Sequence, residues 1–232
     1  MPKVTDELLA ARPSFHGVLT HSLVAEALAL IERTVGPQHR TLETGAGFST
    51  VVFAASGARH TTIVYTQSEV DGIRGYCEQL GIVLDNVTFV VARTERALPG
   101  LEMGELDLVL LDGSHAFPGV FIEWFYTAKA IRVGGQLIID DIHLWTGRTL
   151  RNFLAGSPGW QQTNEFRGRT GVFIKTAPVE LDEDWSEQPY VYRRSLGPWG
   201  VPIKMRQAVS MLRRGQLSAL VEEARRVLVP RS

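Results

Sequence analysis

Leu42-Glu43-Thr44-Gly45-Ala46-Gly47-Phe48-Ser49-Thr50 is the stretch on which the fold turns. An apolar strand pattern, Arg40 to Glu43, runs into two closely spaced glycines, and a helix pattern, Phe48 to Ser56, begins at once. Gly45 and Gly47 let backbone approach a ligand closely. The first helical turn leaves N–H groups unpaired and carries partial positive charge, which suits a carboxylate as well as a phosphate. A dinucleotide fingerprint wants a third glycine, and the chain has β-branched Thr50 there.

The same alternation continues on both sides. Upstream, Leu23, Ala27, Leu30 and Ile31 share one face of a helix expected over Leu23–Thr34, with Thr20 or Ser22 as cap and Gly36-Pro37 as stop. Downstream, strands are expected at His60–Thr66, Val87–Ala92, Leu106–Asp112 and Gln136–Asp140. Helices over Glu69–Leu80, Phe117–Ile131 and Gly147–Leu154 separate or follow them. Leu106–Asp112 is a continuous apolar run of the kind buried in parallel sheets. Trp160–Arg167 and Thr170–Lys175 then read as two strands joined by a tight turn at Gly168. The pattern predicts an α/β fold: a mostly parallel seven-stranded sheet, an antiparallel C-terminal hairpin, and helices on both faces.

Composition narrows the partners. The 232 residues carry 24 Lys+Arg against 25 Asp+Glu, so nothing overall points to nucleic acid or an anionic membrane. No run reaches the ~18 apolar residues of a membrane span, and Met1–Arg12 has no signal-peptide core. The lone Cys77 permits no internal disulfide and reads as a small core residue; a cytoplasmic setting is expected. Residues 1–176 are expected to form one domain. Residues 177–232 form an extension: Pro178–Pro202 irregular, Pro202–Val229 one or two amphipathic helices that dock on the domain or pair two subunits into a homodimer.

Chemistry enters with Leu106-Asp107-Leu108-Val109-Leu110-Leu111-Asp112-Gly113-Ser114-His115 and Gly134-Gly135-Gln136-Leu137-Ile138-Ile139-Asp140-Asp141-Ile142-His143. Each ends a strand on aspartate. Neighbouring parallel strands open on the same edge, where such sheets bind ligands. Asp112, Asp140 and Asp141 therefore converge beside the glycine loop. Clustered carboxylates repel unless one is protonated or a cation sits among them, and an all-oxygen set suits Mg²⁺ or another hard divalent cation. The competing reading has these residues capping helices and orienting loops. His115 and His143 stand on the same edge as candidate bases; Trp145 is a candidate wall of an acceptor pocket.

The Glu43-Thr44-Gly45-Ala46-Gly47 loop resembles the E-x-G-x-G loop of class I S-adenosylmethionine-dependent methyltransferases. With Asp112, His115, Asp140 and Asp141 the chain resembles their metal-dependent O-methyltransferases of the catechol and macrolide-sugar types, over roughly Leu19 to Lys175. The resemblance implies a Rossmann-like fold, S-adenosylmethionine held by Glu43, Gly45, Gly47, Ser49 and Thr50, Thr94 beside the adenine, and Asp112 serving cofactor and metal. It implies Mg²⁺ on Asp112, Asp140 and Asp141, His115 as base with His143 as rival, and a small-molecule hydroxyl, such as a sugar, as acceptor. One departure stands out: Tyr65-Thr66-Gln67-Ser68-Glu69 lacks the acid that this family often places after the second strand for the ribose, leaving Gln67, Ser68 or Glu69 as substitutes. Two other readings remain: a nucleotide-dependent Rossmann oxidoreductase, and a non-catalytic module that keeps the fold.

Overall fold

The computed structural model describes residues 4–15, 23–179, 185, 188–195, 200–219 and 221. Its centre is one seven-stranded sheet in the order β3-β2-β1-β4-β5-β7-β6. The strands are β1 (Arg40–Thr44), β2 (Arg59–Val64), β3 (Val87–Val91), β4 (Leu106–Leu111), β5 (Ile131–Ile139), β6 (Trp160–Phe166) and β7 (Thr170–Lys175). The first five are parallel; β7 runs antiparallel to β5 and to β6. The chain order reverses between β1 and β4, so a crevice opens at their carboxyl ends, the usual ligand site of such sheets.

Helices α1 (Val4–Ala11), α2 (Ala25–Thr34), α3 (Phe48–Ala55) and α4 (Gln67–Gln79) precede α5 (Thr94–Ala97), α6 (Gly119–Thr127), α7 (Trp145–Ala155), α8 (Pro189–Ser195) and α9 (Gly200–Arg213). Period-two alternation divides the core between the two faces of the sheet. Leu108 and Leu110 pack with α1, α2, α3 and α4; Val109 and Leu111 pack with Trp124 of α6 and Leu150 of α7. Cys77 is fully buried in the first cluster, and burial pushes its thiol up to about 11. No described helix is long and apolar enough to cross a membrane.

Several boundaries differ from the pattern reading. α2 starts at Ala25 behind Val24, which makes no side-chain cap; Thr20, Ser22 and His21 lie outside the described residues. α6 is shorter at both ends than Phe117–Ile131, because Ile131 already belongs to β5. β5 runs through Gly134 and Gly135 instead of starting after them. A register shift against β4 between Leu106 and Leu108, with Gly134 at φ +82°, absorbs the irregularity. α7 begins at Trp145, two residues early. The stretch Pro178–Pro202, read as irregular, contains α8, and α9 begins at Gly200. The rest of the expected tail helix beyond Val221 lies outside the described residues. Among the aromatic residues on and just before α6, Trp124 is buried, Phe121 packs partly buried against the same cluster, and Phe117, Phe125 and Tyr126 are exposed.

Candidate active site

The glycine loop and the end of β4 are in contact. Gly45 has φ +81°, and a Cβ there would stand 2.4 Å from the Asp112 carbonyl oxygen. A side chain fits at neither the angle nor the distance, so glycine is required. The Asp112 amide in turn donates to the carbonyl of Thr44 at 3.1 Å. The first turn of α3 therefore opens next to the carboxyl end of β4. Ser49 and Thr50 sit in that turn with buried side chains, and Thr50 accepts from the Gly47 N–H at 2.9 Å and donates to Glu43. Glu43 itself is buried.

Asp112, Asp140 and Asp141 come together at the rim with His115 between them. His115 Nε2 lies 3.3 Å from Asp141 Oδ2 and 4.0 Å from Asp112 Oδ1. His143 Nδ1 is 3.5 Å from Asp141 Oδ1 and more exposed. The first turn of α7 secures the His115 backbone, since the Thr146 hydroxyl donates to the His115 carbonyl at 2.7 Å. Asp141 adopts φ 52°, a left-handed geometry that a short polar side chain tolerates.

Electrostatics at the rim are unfavourable to negative charge. Burial pushes Asp112 well above the usual carboxylate range, and repulsion from Asp140, Asp141, Glu43 and Glu123 adds to it. Asp140 is raised by burial, against the opposing hydrogen bond from the Thr170 hydroxyl. A cation answers this charge. Arg169, in the turn before β7, donates through Nε to Asp141 Oδ1 at 3.0 Å and brings Nη2 to 4.0 Å from Asp140 Oδ2. As the side chains stand, no group of three or more His, Cys, Asp or Glu among the described residues is arranged to hold a metal ion.

Residues that pattern reading passed over complete the site. Arg169 and Thr170 come from the hairpin. Glu123, on α6, is buried beneath the β4 loop and accepts from the Thr44 hydroxyl at 2.9 Å and the Ser114 N–H at 3.0 Å. Burial raises Glu123 to about 7. Thr94, expected beside the adenine, is buried with its hydroxyl engaged with Glu123. The substitutes for the missing ribose acid are engaged locally. Glu69 Oε2 accepts from the Thr66 N–H at 3.3 Å, the Ser68 hydroxyl meets that of Thr66 at 3.0 Å, and Gln67 donates to Asp71 at 2.8 Å.

A sheet of this order, with its one reversed strand and its glycine loop after β1, is the class I methyltransferase fold. Residues 42–142 match the family described as a methyltransferase domain. The match spans less than half of the chain and marks a methyltransferase-like segment on that fold. Among solved structures it is similar to the O-methyltransferase TomG from Streptomyces achromogenes, involved in tomaymycin synthesis and solved with SAM: 18% identity, 74% of this chain and 91% of that one, TM-score 0.58. It is also similar to the Bacillus cereus O-methyltransferase in complex with SAH, at 16% identity over 75% of this chain and 92% of that one, TM-score 0.54. Cofactor-bound Rv0187 from MTB aligns at 20% identity over 74% of this chain and 86% of that one, TM-score 0.57. No curated protein matches the sequence.

Proposed function

We propose that the chain transfers the methyl group of S-adenosylmethionine to a hydroxyl oxygen of a small molecule, a sugar or other natural product, with His115 as general base. One observation carries this reading: His115 Nε2 lies between the carboxylates of Asp141 and Asp112, at the rim where the Gly45 backbone touches Asp112. When bound, the donor supplies an already electrophilic methyl group on sulfur. The chain's own task is to align and deprotonate the acceptor. Gly45 and Gly47 would let backbone approach the amino-acid end of the donor, and the N–H groups opening α3 would receive its carboxylate. His115 removes the acceptor proton at Nδ1, the ring nitrogen turned away from the carboxylates, and Asp141, 3.3 Å from Nε2, stabilises the imidazolium that forms. Trp145 and Phe117, 65% and 69% exposed with ring centroids 6.2 Å apart, pack on each other and offer the acceptor an apolar wall.

The donor set at the rim fits a hard cation in kind. Asp112 is surrounded by four carboxylates that all disfavour its charge, and a positive partner would relieve it. Asp112, Asp140 and Asp141 would hold Mg²⁺, whose chemistry when bound is to favour the alkoxide form of the acceptor. A second reading has its own observation: Arg169 already pairs with Asp141 and approaches Asp140, and on this reading transfer needs no metal.

A panel of hydroxyl-bearing acceptors with labelled donor and metal-stripped protein tests both. Transfer restored by Mg²⁺ and abolished by EDTA supports the cation; full transfer in EDTA leaves Arg169 in its place. A panel that yields labelled nitrogen or carbon products and no ether contradicts O-methylation itself.

A further inference from the structure

Beneath the glycine loop lies a buried polar chain that no step above uses. Thr41, Glu43, Thr50 and His60 are each almost fully enclosed. His60 lies on β2, in register with Thr41 of β1. Its Nε2 is 3.1 Å from Glu43 Oε1, and its Nδ1 is 2.8 Å from the Thr41 hydroxyl. A carboxylate only accepts, so Nε2 carries the proton, and in the neutral ring Nδ1 accepts from Thr41. The ring also stacks on Phe53 of α3, with centroids 4.3 Å apart and planes 14° from parallel. Glu43 Oε1 takes a second hydrogen bond, from the Thr50 hydroxyl, and that hydroxyl accepts from the Gly47 N–H.

The chain thus runs from a strand with no part in the acceptor rim to the backbone of the loop. A buried carboxylate is costly unless donors saturate it. With His60 removed, Glu43 keeps one of these two donors and must turn to find another. That movement alters the acceptor that Thr50 uses, and through Thr50 the tether on Gly47. Buried networks of this kind act as units, so their members are not independent.

We infer that His60 is a positioning residue for the methyl donor: through Glu43 and Thr50 it fixes the Gly47 amide and keeps the loop in its binding shape before the donor arrives. This rests on the reading that the loop receives the donor's amino-acid end. Pre-organisation of this sort raises affinity by lowering the ordering cost at binding.

The probe is S-adenosylhomocysteine, titrated calorimetrically into wild type, His60→Phe, His60→Gln, Thr50→Val and the double variant His60→Phe/Thr50→Val. Phe retains the stack on Phe53 and deletes both ring nitrogens; Gln restores a donor. His60→Phe should weaken binding about tenfold, the scale of one lost hydrogen bond to a charged group. His60→Gln should recover most of the loss, and the double variant should bind no worse than the weaker single variant. Additive losses, or wild-type affinity in His60→Phe, would overturn the inference. The intact protein gives a second measure that needs no variant. Before any donor is added, the His60 ring nitrogen resonances should show Nε2 protonated toward Glu43 and Nδ1 bare toward Thr41; the opposite tautomer overturns the inference alone. A wild-type protein that fails to bind S-adenosylhomocysteine overturns the reading of the loop as well.

Discussion

Arg169 Nε donates to Asp141 Oδ1 across 3.0 Å, from the turn before β7 to the carboxyl end of β5. The guanidinium is the one cationic side chain recorded in contact with both Asp140 and Asp141 among the described residues. It therefore competes with any metal for the same carboxylates. Replacing it by Met removes the charge and keeps the stem. Metal-stripped Arg169→Met should lose roughly 1–3 kcal/mol of stability, the cost of stripping a partner from a mostly buried carboxylate. Mg²⁺ should then raise its melting temperature more than it raises that of wild type, since a ligand stabilises in proportion to its affinity for the folded state. No shift in either protein would argue that no cation binds among these aspartates, and equal shifts that Arg169 does not compete for them.

His115 and His143 make different predictions although both approach Asp141. His115 is placed between two carboxylates; His143 meets one and stands further out. With an acceptor found by the panel above, His115→Ala should lower kcat about 10²–10⁴-fold, the usual worth of a positioned general base. Its affinity for S-adenosylhomocysteine should stay at the wild-type value. His143→Ala should fall much less. A reversed ranking of the two variants would move the base to His143.

Glu123 gives the protein a pH dependence with a defined sign. Burial raises its folded value to about 7 from an ordinary 4.5. Between those limits the folded state holds a proton that the unfolded state has released, so stability falls as pH rises through this window. Below about 4.5 both states are protonated and the contribution is flat; above about 7 both are ionised and the loss is complete. The full effect is of order 3 kcal/mol at one pKa unit per 1.4 kcal/mol. The unfolding free energy of wild type minus that of Glu123→Gln, followed by urea denaturation, should therefore decline from about pH 4.5 to about pH 7. Subtracting the variant cancels titrations that the two proteins share. A flat difference would mean that Glu123 is already ionised across the range.

Which parts of this site a sequence discloses depends on how local their cause is. Strand and helix alternation is written in short-range periodicity, and Gly45-Ala46-Gly47 marks the first crossover. Asp112, Asp140 and Asp141 were readable together because parallel strands align their carboxyl ends, so position at a strand end implies position in space. Their neutralising partner was not readable. Arg169 reaches Asp141 over 28 residues of chain, Thr170 reaches Asp140 over 30, and Thr44 reaches Glu123 over 79. His60 had no motif around it; its meaning comes from strand register that sets it beside Glu43, 17 residues away in sequence. α1 escaped the pattern because eight residues give barely two turns of periodicity, although Leu8 is fully buried.

The contact between Gly45 and Asp112 carries the most severe of the expected losses. At φ +81° an L side chain is strained, and the added Cβ would meet backbone, which cannot swing aside as a flexible side chain can. Gly45→Ala should cost about 2–4 kcal/mol, combining the left-handed penalty with overpacking against the Asp112 carbonyl. The strain is relieved only if the loop lifts away from the end of β4. The variant should therefore lose affinity for S-adenosylhomocysteine even at temperatures where it remains folded. Gly215→Ala, at φ +68° with no atom within 4 Å of its Cβ, carries the backbone strain without the collision and serves as the control. If the two variants lose stability equally, and both bind S-adenosylhomocysteine as wild type does, the loop and the end of β4 are not held together as described.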